Sequence, residues 1–348
     1  MEEHRVKWVL GFGLLVALLL LLFMANIGFG SVSIPFDDIL NVLLGEKASR
    51  SAYTSIILMS RLPQTITAVL AGAGLAVGGL QMQTLFRNPL AGPSILGISS
   101  GAGLGVALVV LFAGNILGVT ISGYGLLGHM TVVGAAFLGA FTILLLIVFF
   151  AQALRDNTIL LIVGIMIGYA ASAIIGVMKF YSPKEDVHAY VIWGLGSFSN
   201  VSWEHLLILI PIVLIGLVMS LLLIKPLNVL LLGENYAENL GINIRNTRLA
   251  ILFCTGILTA AITAFCGPIA FLGLAVPHLT KGLFRTSDQK VLMPAVILAG
   301  AVLALFCNLI ARLPGFDGAL PINVVTGLIG APIVISVIIK RRKMNANG

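Results

Sequence analysis

The stretch RLPQTITAVLAGAGLAVGGLQMQTLF, Arg61–Phe86, carries a single charge, on its first residue. The 25 residues that follow hold no Asp, Glu, Lys or Arg, and glycines recur at 72, 74, 78 and 79. A helix needs roughly 20 apolar residues to cross about 30 Å of hydrocarbon, so Leu62–Phe86 is long enough to span a membrane. Small residues at helical spacing let membrane helices approach one another closely. The stretch predicts a helix packed inside a bundle within lipid.

The rest of the chain agrees. Of 348 residues, 59% are hydrophobic and 9% charged, against about 25% charged in a soluble domain, and mean hydropathy is +1.10. Charge-free runs recur at Trp8–Phe36, Asn88–Leu154, Ile159–Met178, Leu206–Ile224, Leu249–Thr280, Val291–Ala311 and Pro321–Ile339. Backbone groups in lipid must pair within their own segment, which makes these runs helices and not open sheet. Two runs are too long for one crossing. Asn88–Leu154 is broken at AGNILGVTISGYG (113–125), and Leu249–Thr280 at CGPIAFLG (266–273). The expected fold is an all-α polytopic membrane protein, one transmembrane domain over 1–348 with about ten spans. The first run, although preceded by Arg5 and Lys7, exceeds a signal-peptide core of roughly 7–15 residues and is read as a retained span.

Basic residues orient the spans. Ten alternating crossings place Arg5, Lys7, Arg87, Arg155, Lys225, Arg245, Arg248, Lys281, Arg285, Lys290 and Lys340–Lys343 on one side, fourteen in all. The other side holds six: Lys47, Arg50, Arg61, Lys179, Lys184 and Arg312. The first side, with both termini, is therefore expected to be cytoplasmic. The net charge of +7 follows from this bias and from the basic tail KRRK beside anionic lipid. No basic stripe with interleaved aromatics calls for nucleic acid. Cys254, Cys266 and Cys307 stand alone in apolar runs and read as core residues, and no histidine spacing supports a metal site.

The chemistry that is missing narrows the function. Every charge is expected at a span end or in a loop, whereas ion-coupled carriers commonly hold Asp, Glu or Lys within the membrane. An ion-coupled secondary transporter of a small solute is thus the weaker alternative. No lysine follows a glycine, so no phosphate-binding loop GxxxxGK[ST] exists. The chain is read as a transport subunit without catalytic residues or a cofactor of its own; ATP and Mg, if used, bind a separate ATPase.

Glycine-rich helices pack tightly and also leave room for bulky cargo. Both readings apply to LLIVGIMIGYAASAIIGV, where Gly164, Gly168 and Ser172 are the candidates for lining a pathway. Pro89 and Pro93 frame a short turn, with Asn88 a candidate cap for the next helix. The tripeptide RLP occurs at 61–63 and 312–314. Arginines at span ends can snorkel to the interface; two guanidiniums on an outer face also suit carboxylates of an acidic partner. His278 reads as a structural hydrogen-bonding residue.

LLLGENYAENLGINIRN, Leu230–Asn246, packs two glutamates, an arginine and four asparagines between apolar runs. Gly233 and Gly241 bracket Glu234, Asn235, Tyr236, Ala237, Glu238, Asn239 and Leu240, about two helical turns with Tyr236 and Leu240 on one side. The segment reads as a short amphipathic helix on the cytoplasmic face or as a solvated loop. Two turns are marginal alone, so a helix here would need a partner, and a cytoplasmic ATPase would serve.

The residues from Arg61 to Gly105, with LLGENYAENLGI, GPIAFLGLAVPH and LPINVVTGLIGAPIVISVII, stand in the order of the FecCD family and resemble it from about Arg61 to Lys340. These are ten-span permeases of type II ABC importers for iron–siderophore complexes, haem and cobalamin. The resemblance implies a bacterial inner-membrane protein paired with a second permease, usually a homodimer, with an ATPase dimer below and a substrate-binding protein above. It implies ATPase coupling through Gly233–Gly241, within a cytoplasmic segment of about 226–247, and binding-protein docking through Arg61, Gln64 and Arg312. The sequence departs from the pattern at Gln64, where an arginine is common, and at Gly92, where an acidic residue is.

Overall fold

The computed structural model describes residues 2–30, 32–113, 125–154, 156–312 and 320–346. Among them no strand forms. The helices are α1 (Glu2–Gly28), α2 (Phe36–Leu43), α3 (Ser51–Ser55), α4 (Leu62–Leu85), α5 (Ile98–Ala107), α6 (Gly125–Ala153), α7 (Asn157–Tyr181) and α8 (Lys184–Gly194). They continue with α9 (Trp203–Leu222), α10 (Ile224–Leu232), α11 (Glu234–Asn239), α12 (Ile244–Cys266), α13 (Leu272–Phe284), α14 (Gln289–Ala311) and α15 (Ile322–Ala346). A π-helical stretch, Ile56–Arg61, joins α3 to α4 without a break.

Seven helical segments are long and apolar enough to cross a bilayer, and Ile98–Phe112 and Ile322–Ser336 are shorter apolar helices. α13, with 13 residues, covers only about 20 Å at 1.5 Å per residue. Against the expected ten spans, the described residues hold seven helices of spanning length and two shorter apolar ones. The predicted break near Cys266–Gly273 is real: backbone leaves the helix after Cys266 and re-enters it at Leu272. The other predicted break, at 113–125, falls mostly outside the described residues.

α4 lies at the centre. Its best apolar window is 89% buried, against 22% for α7 and 6% for α1. α14, α12 and α13 pack on α4, and glycine permits it. A Cβ at Gly72 would overlap the Gly300 carbonyl, and one at Gly300 would overlap that of Gly72. Gly101 and Gly139 repeat the arrangement between α5 and α6. Helices held this close gain dispersion contacts along their backbones, which matters where lipid removes the hydrophobic drive between them. The three cysteines are buried and unpaired with one another.

Two buried polar clusters tie the centre together. Gln64 Nε2 donates to Asn308 Oδ1 at 3.0 Å, and Asn308 Nδ2 to Asn26 Oδ1 at 2.8 Å, joining α4, α14 and α1. Thr255 donates to Gln81 Oε1 at 2.7 Å, and Ser220 Oγ lies 3.0 Å from Cys254 Sγ, joining α12 to α4 and α9.

Arg61 lies within the continuous helical segment Ser51–Leu85, just before the 24-residue α4, and is 1% exposed, so its guanidinium is buried. Backbone carbonyls make this tolerable. Arg61 Nη1 donates to the Ile27 and Gly28 oxygens at 2.8 and 2.7 Å, and Nη2 donates to that of Val32.

Candidate functional site

α10 and α11 form a hydrophilic corner at one end of the bundle. Gly233 stands between them at φ +121, in a region L side chains avoid, and Gly241 at φ +82 ends the corner. α11 is a helix and not a loop. Its Ala237 is buried, whereas Asn235, Tyr236, Glu238, Asn239 and Leu240 are exposed. Tyr236 and Leu240, four residues apart, are each 56% exposed, giving a small apolar patch beside Glu238.

Glu234 does not share that exposed face. Its Oε1 accepts from Asn157 Nδ2 at 2.6 Å and stands 3.5 Å from Arg248 Nη2. Asn157 Nδ2 also donates to the Leu85 carbonyl at 3.2 Å, and Arg248 Nη1 to that of Leu154 at 3.0 Å. One carboxylate thereby gathers the ends of α4, α6, α7 and α12. A second clamp holds α10: Asn228 Nδ2 donates to Asp288 Oδ1 at 2.7 Å and its Oδ1 accepts from Gln289 N at 2.8 Å, at the start of α14. Arg87 Nη2 donates to Leu230 O at 3.3 Å. The polar composition of 230–246 pointed to the corner; its inward anchors are 77 and 60 residues away in sequence and left no local signal.

A cavity of about 340 Å³ opens along α7, and Gly164, Gly168 and Ser172 all line it. Across from them stand Ser94, Gly97 and Ser100, with Asn88 and Tyr169 also at the wall. No carboxylate, amine, guanidinium, imidazole or thiol is among the lining groups. Asn88 caps no helix; its Oδ1 accepts from Leu90 N at 2.9 Å, closing the turn that carries Pro89. His278 Nε2 lies 2.7 Å from the Pro89 carbonyl, tying α13 to the same turn.

At the opposite end the expected docking residues face inward. Arg61 and Gln64 are 1% and 5% exposed and are used by the contacts described above. Arg312 is partly buried, with Nη1 3.4 Å from Asn26 O; Leu313 and Pro314 lie outside the described residues. The two guanidiniums converge over Gly30, where a Cβ would come within 3.0 Å of Nη2 of each. Backbone carbonyls take the donors of Arg61, and an asparagine takes the amide donor of Gln64. Exposed basic groups at this end include Lys47, Arg50 and Lys184. Ser49, between the first two, is fixed by Asp38, which accepts from Ser49 N and Oγ, each at 2.6 Å. Those hydrogen bonds, the hydroxyl's foremost, hold the Asp38 carboxyl below its ordinary pKa. Among the described residues no three His, Cys, Asp or Glu side chains cluster as a metal site would require.

Comparison with known proteins agrees with this architecture. The FecCD transport family model matches residues 18–340. The chain is 33% identical over 343 residues to the hemin transport system permease protein HmuU of Yersinia pestis, covering 98% of this chain and 99% of that one. It is 34% identical over 342 residues to the vitamin B12 import system permease protein BtuC of Salmonella arizonae, covering 97% and 96%. A solved structure described as an inward-facing conformation of a metal-chelate type ABC transporter superposes with a TM-score of 0.81 at 30% identity, over 95% of this chain and 99% of that one. The chain belongs to the FecCD transport family. It is a multi-pass membrane permease with the type II ABC importer fold.

Proposed function

We propose that this chain is the permease subunit of an ATP-driven importer that moves a bulky metal chelate, of the iron–siderophore, haem or cobalamin kind, into the cytoplasm. Two copies form the pathway, an ATPase dimer sits against α11 and a substrate-binding protein docks at the opposite end. The observation that carries this reading is the two-faced corner at α11. Its outer face offers Tyr236, Glu238 and Leu240 to a partner, while Glu234 holds α7 and α12 through Asn157 and Arg248. A segment exposed on one side and fixed on the other is built to pass a push inward. The 14-to-6 split of basic residues supports placing this corner in the cytoplasm of a bacterial inner-membrane protein. The cavity on α7, free of charged groups, suits a large cargo that must pass without being held.

The cycle then needs no covalent chemistry in this chain. ATP binding closes the ATPase dimer, α11 follows, and the helices beside the cavity rock. Lys47 and Arg50, ordered through Asp38 and Ser49, offer cations for carboxylates of the binding protein. The test is reconstitution in vesicles with and without the neighbouring ATPase. Uptake of a metal chelate that requires ATP and survives an ionophore is expected; uptake without a nucleotide-hydrolysing partner overturns the reading.

A further inference from the structure

Asn157 opens α7, the helix whose glycines line the cavity. It precedes Gly164, Gly168 and Ser172 by 7, 11 and 15 residues, spacings that share one face of a helix. The residue that holds the foot of α7 therefore stands in line with the groups that line the cavity.

Its amide is held from one side only. Nδ2 donates to both Glu234 Oε1 and Leu85 O, while the buried Oδ1 has no hydrogen-bond partner among the described residues. The amide cannot turn over to relieve this, because both atoms facing Nδ2 are acceptors and would repel an oxygen. A buried acceptor without a partner costs free energy that other sites avoid. Here it is the consequence of holding α11, α4 and α7 at one point.

Further along, beside the cavity, α7 meets its neighbour through small residues. A Cβ on Gly164 would meet backbone at Leu96 Cα, 2.9 Å away, and one on Gly168 would stand 3.4 Å from Ser100 Oγ and 3.7 Å from Gly97 Cα. Close backbone contacts at this stretch allow the small sliding of packed helices, while Leu160 and Ile175 on either side pack into the core. α7 is thus pinned at its foot and small-faced along the cavity wall.

We propose that the Glu234–Asn157 hydrogen bond is the joint through which displacement of α11 is passed to α7, so that the cavity wall moves with the ATPase. This rests on the function proposed above. Asn157 is a positioning residue: it touches no cargo and acts through the helix it begins. Glu234 is the matching half, with Arg248 and the Leu154 carbonyl behind it as backing.

The experiment uses the full complex with its ATPase and binding protein in proteoliposomes, reading cargo imported per ATP hydrolysed. Asn157→Leu removes both hydrogen bonds. It is expected to keep ATPase assembly and hydrolysis near wild type while the import-to-hydrolysis ratio falls roughly tenfold, the size of a lost coupling contact. Glu234→Gln keeps an acceptor for Asn157 and is expected to keep most of the ratio. Spin labels on Tyr169→Cys in the two copies are expected to lose their nucleotide-dependent distance change with Asn157→Leu, while labels on Tyr236→Cys keep theirs. A wild-type ratio with Asn157→Leu, or import and hydrolysis lost in proportion, overturns the joint. If Asn157→Leu fails to assemble, Glu234→Leu is read in the same way; failure of both marks the pair as a folding determinant and also overturns it. A wild-type complex with no ATP-dependent uptake would fail the function itself, an outcome separate from any of these.

Discussion

Asn308 sits between Gln64 and Asn26, accepting from the first at 3.0 Å and donating to the second at 2.8 Å. Asn26 in turn donates to the Leu22 and Leu305 carbonyls at 2.8 and 3.0 Å. Each amide is 5% exposed or less. In a medium without competing water, losing one member strands the next.

Asn308→Leu is therefore expected to destabilise the protein by about 1–3 kcal/mol through unpaired amides at Gln64 and Asn26. Thermal melting in detergent checks this. The triple replacement of Asn26, Gln64 and Asn308 by apolar residues should recover part of the loss, since no orphan then remains.

Arg61 gives a sharper contrast. Removing its guanidinium strands the carbonyls of Ile27, Gly28 and Val32, so Arg61→Leu should cost about 3 kcal/mol or more. Lys47→Glu with Arg50→Glu should leave melting within about 0.5 kcal/mol of wild type but weaken capture of the binding protein and flatten its salt dependence. Titration with the purified binding protein at two ionic strengths separates the cases.

On α11 the two glutamates should part company. Glu238→Lys is expected to reduce ATPase assembly with melting unchanged, because Glu238 is exposed. Glu234→Lys faces Arg248 and Asn157, and should lower stability as well as coupling. Co-purification of the ATPase together with melting curves tells them apart.

Asp38 sets a pH dependence. Its carboxyl pKa is lowered in the fold by hydrogen bonds from Ser49, so the support it gives is fully present above the unfolded value of about 3.9. That support is lost as pH falls through the lower folded value. Binding-protein capture should hold from neutral pH down to about 4 on this account and weaken below it. Asp38→Asn should weaken capture already at neutral pH, as the loop carrying Lys47 and Arg50 loses its anchor.

Much of this was readable from residues alone. Charge-free runs gave the membrane bundle, and Gly72, with its neighbours in the Arg61–Phe86 stretch, announced the central helix. The composition of Leu230–Asn246 announced the corner, because a polar segment between spans has few places to go. Gly164, Gly168 and Ser172 were grouped by spacing and do line one cavity. What misled was the direction in which polar side chains turn. Arg61, two residues before Pro63, reads as a span end with an outward guanidinium, but the guanidinium turns inward. Its acceptors lie 29 to 34 residues away, at the end of α1 and just beyond it. The inward turn of Glu234 has no local signal for the same reason, its hydrogen-bond donor Asn157 lying 77 residues away.

The lining of the α7 cavity has an electrical consequence. An elementary charge carried across a membrane does work of about 2.3 kcal/mol per 100 mV. Serines, glycines, an asparagine and a tyrosine carry no net charge, so rearranging this wall displaces no gating charge. On the function proposed above, the membrane voltage would do its work on the cargo and none on this wall.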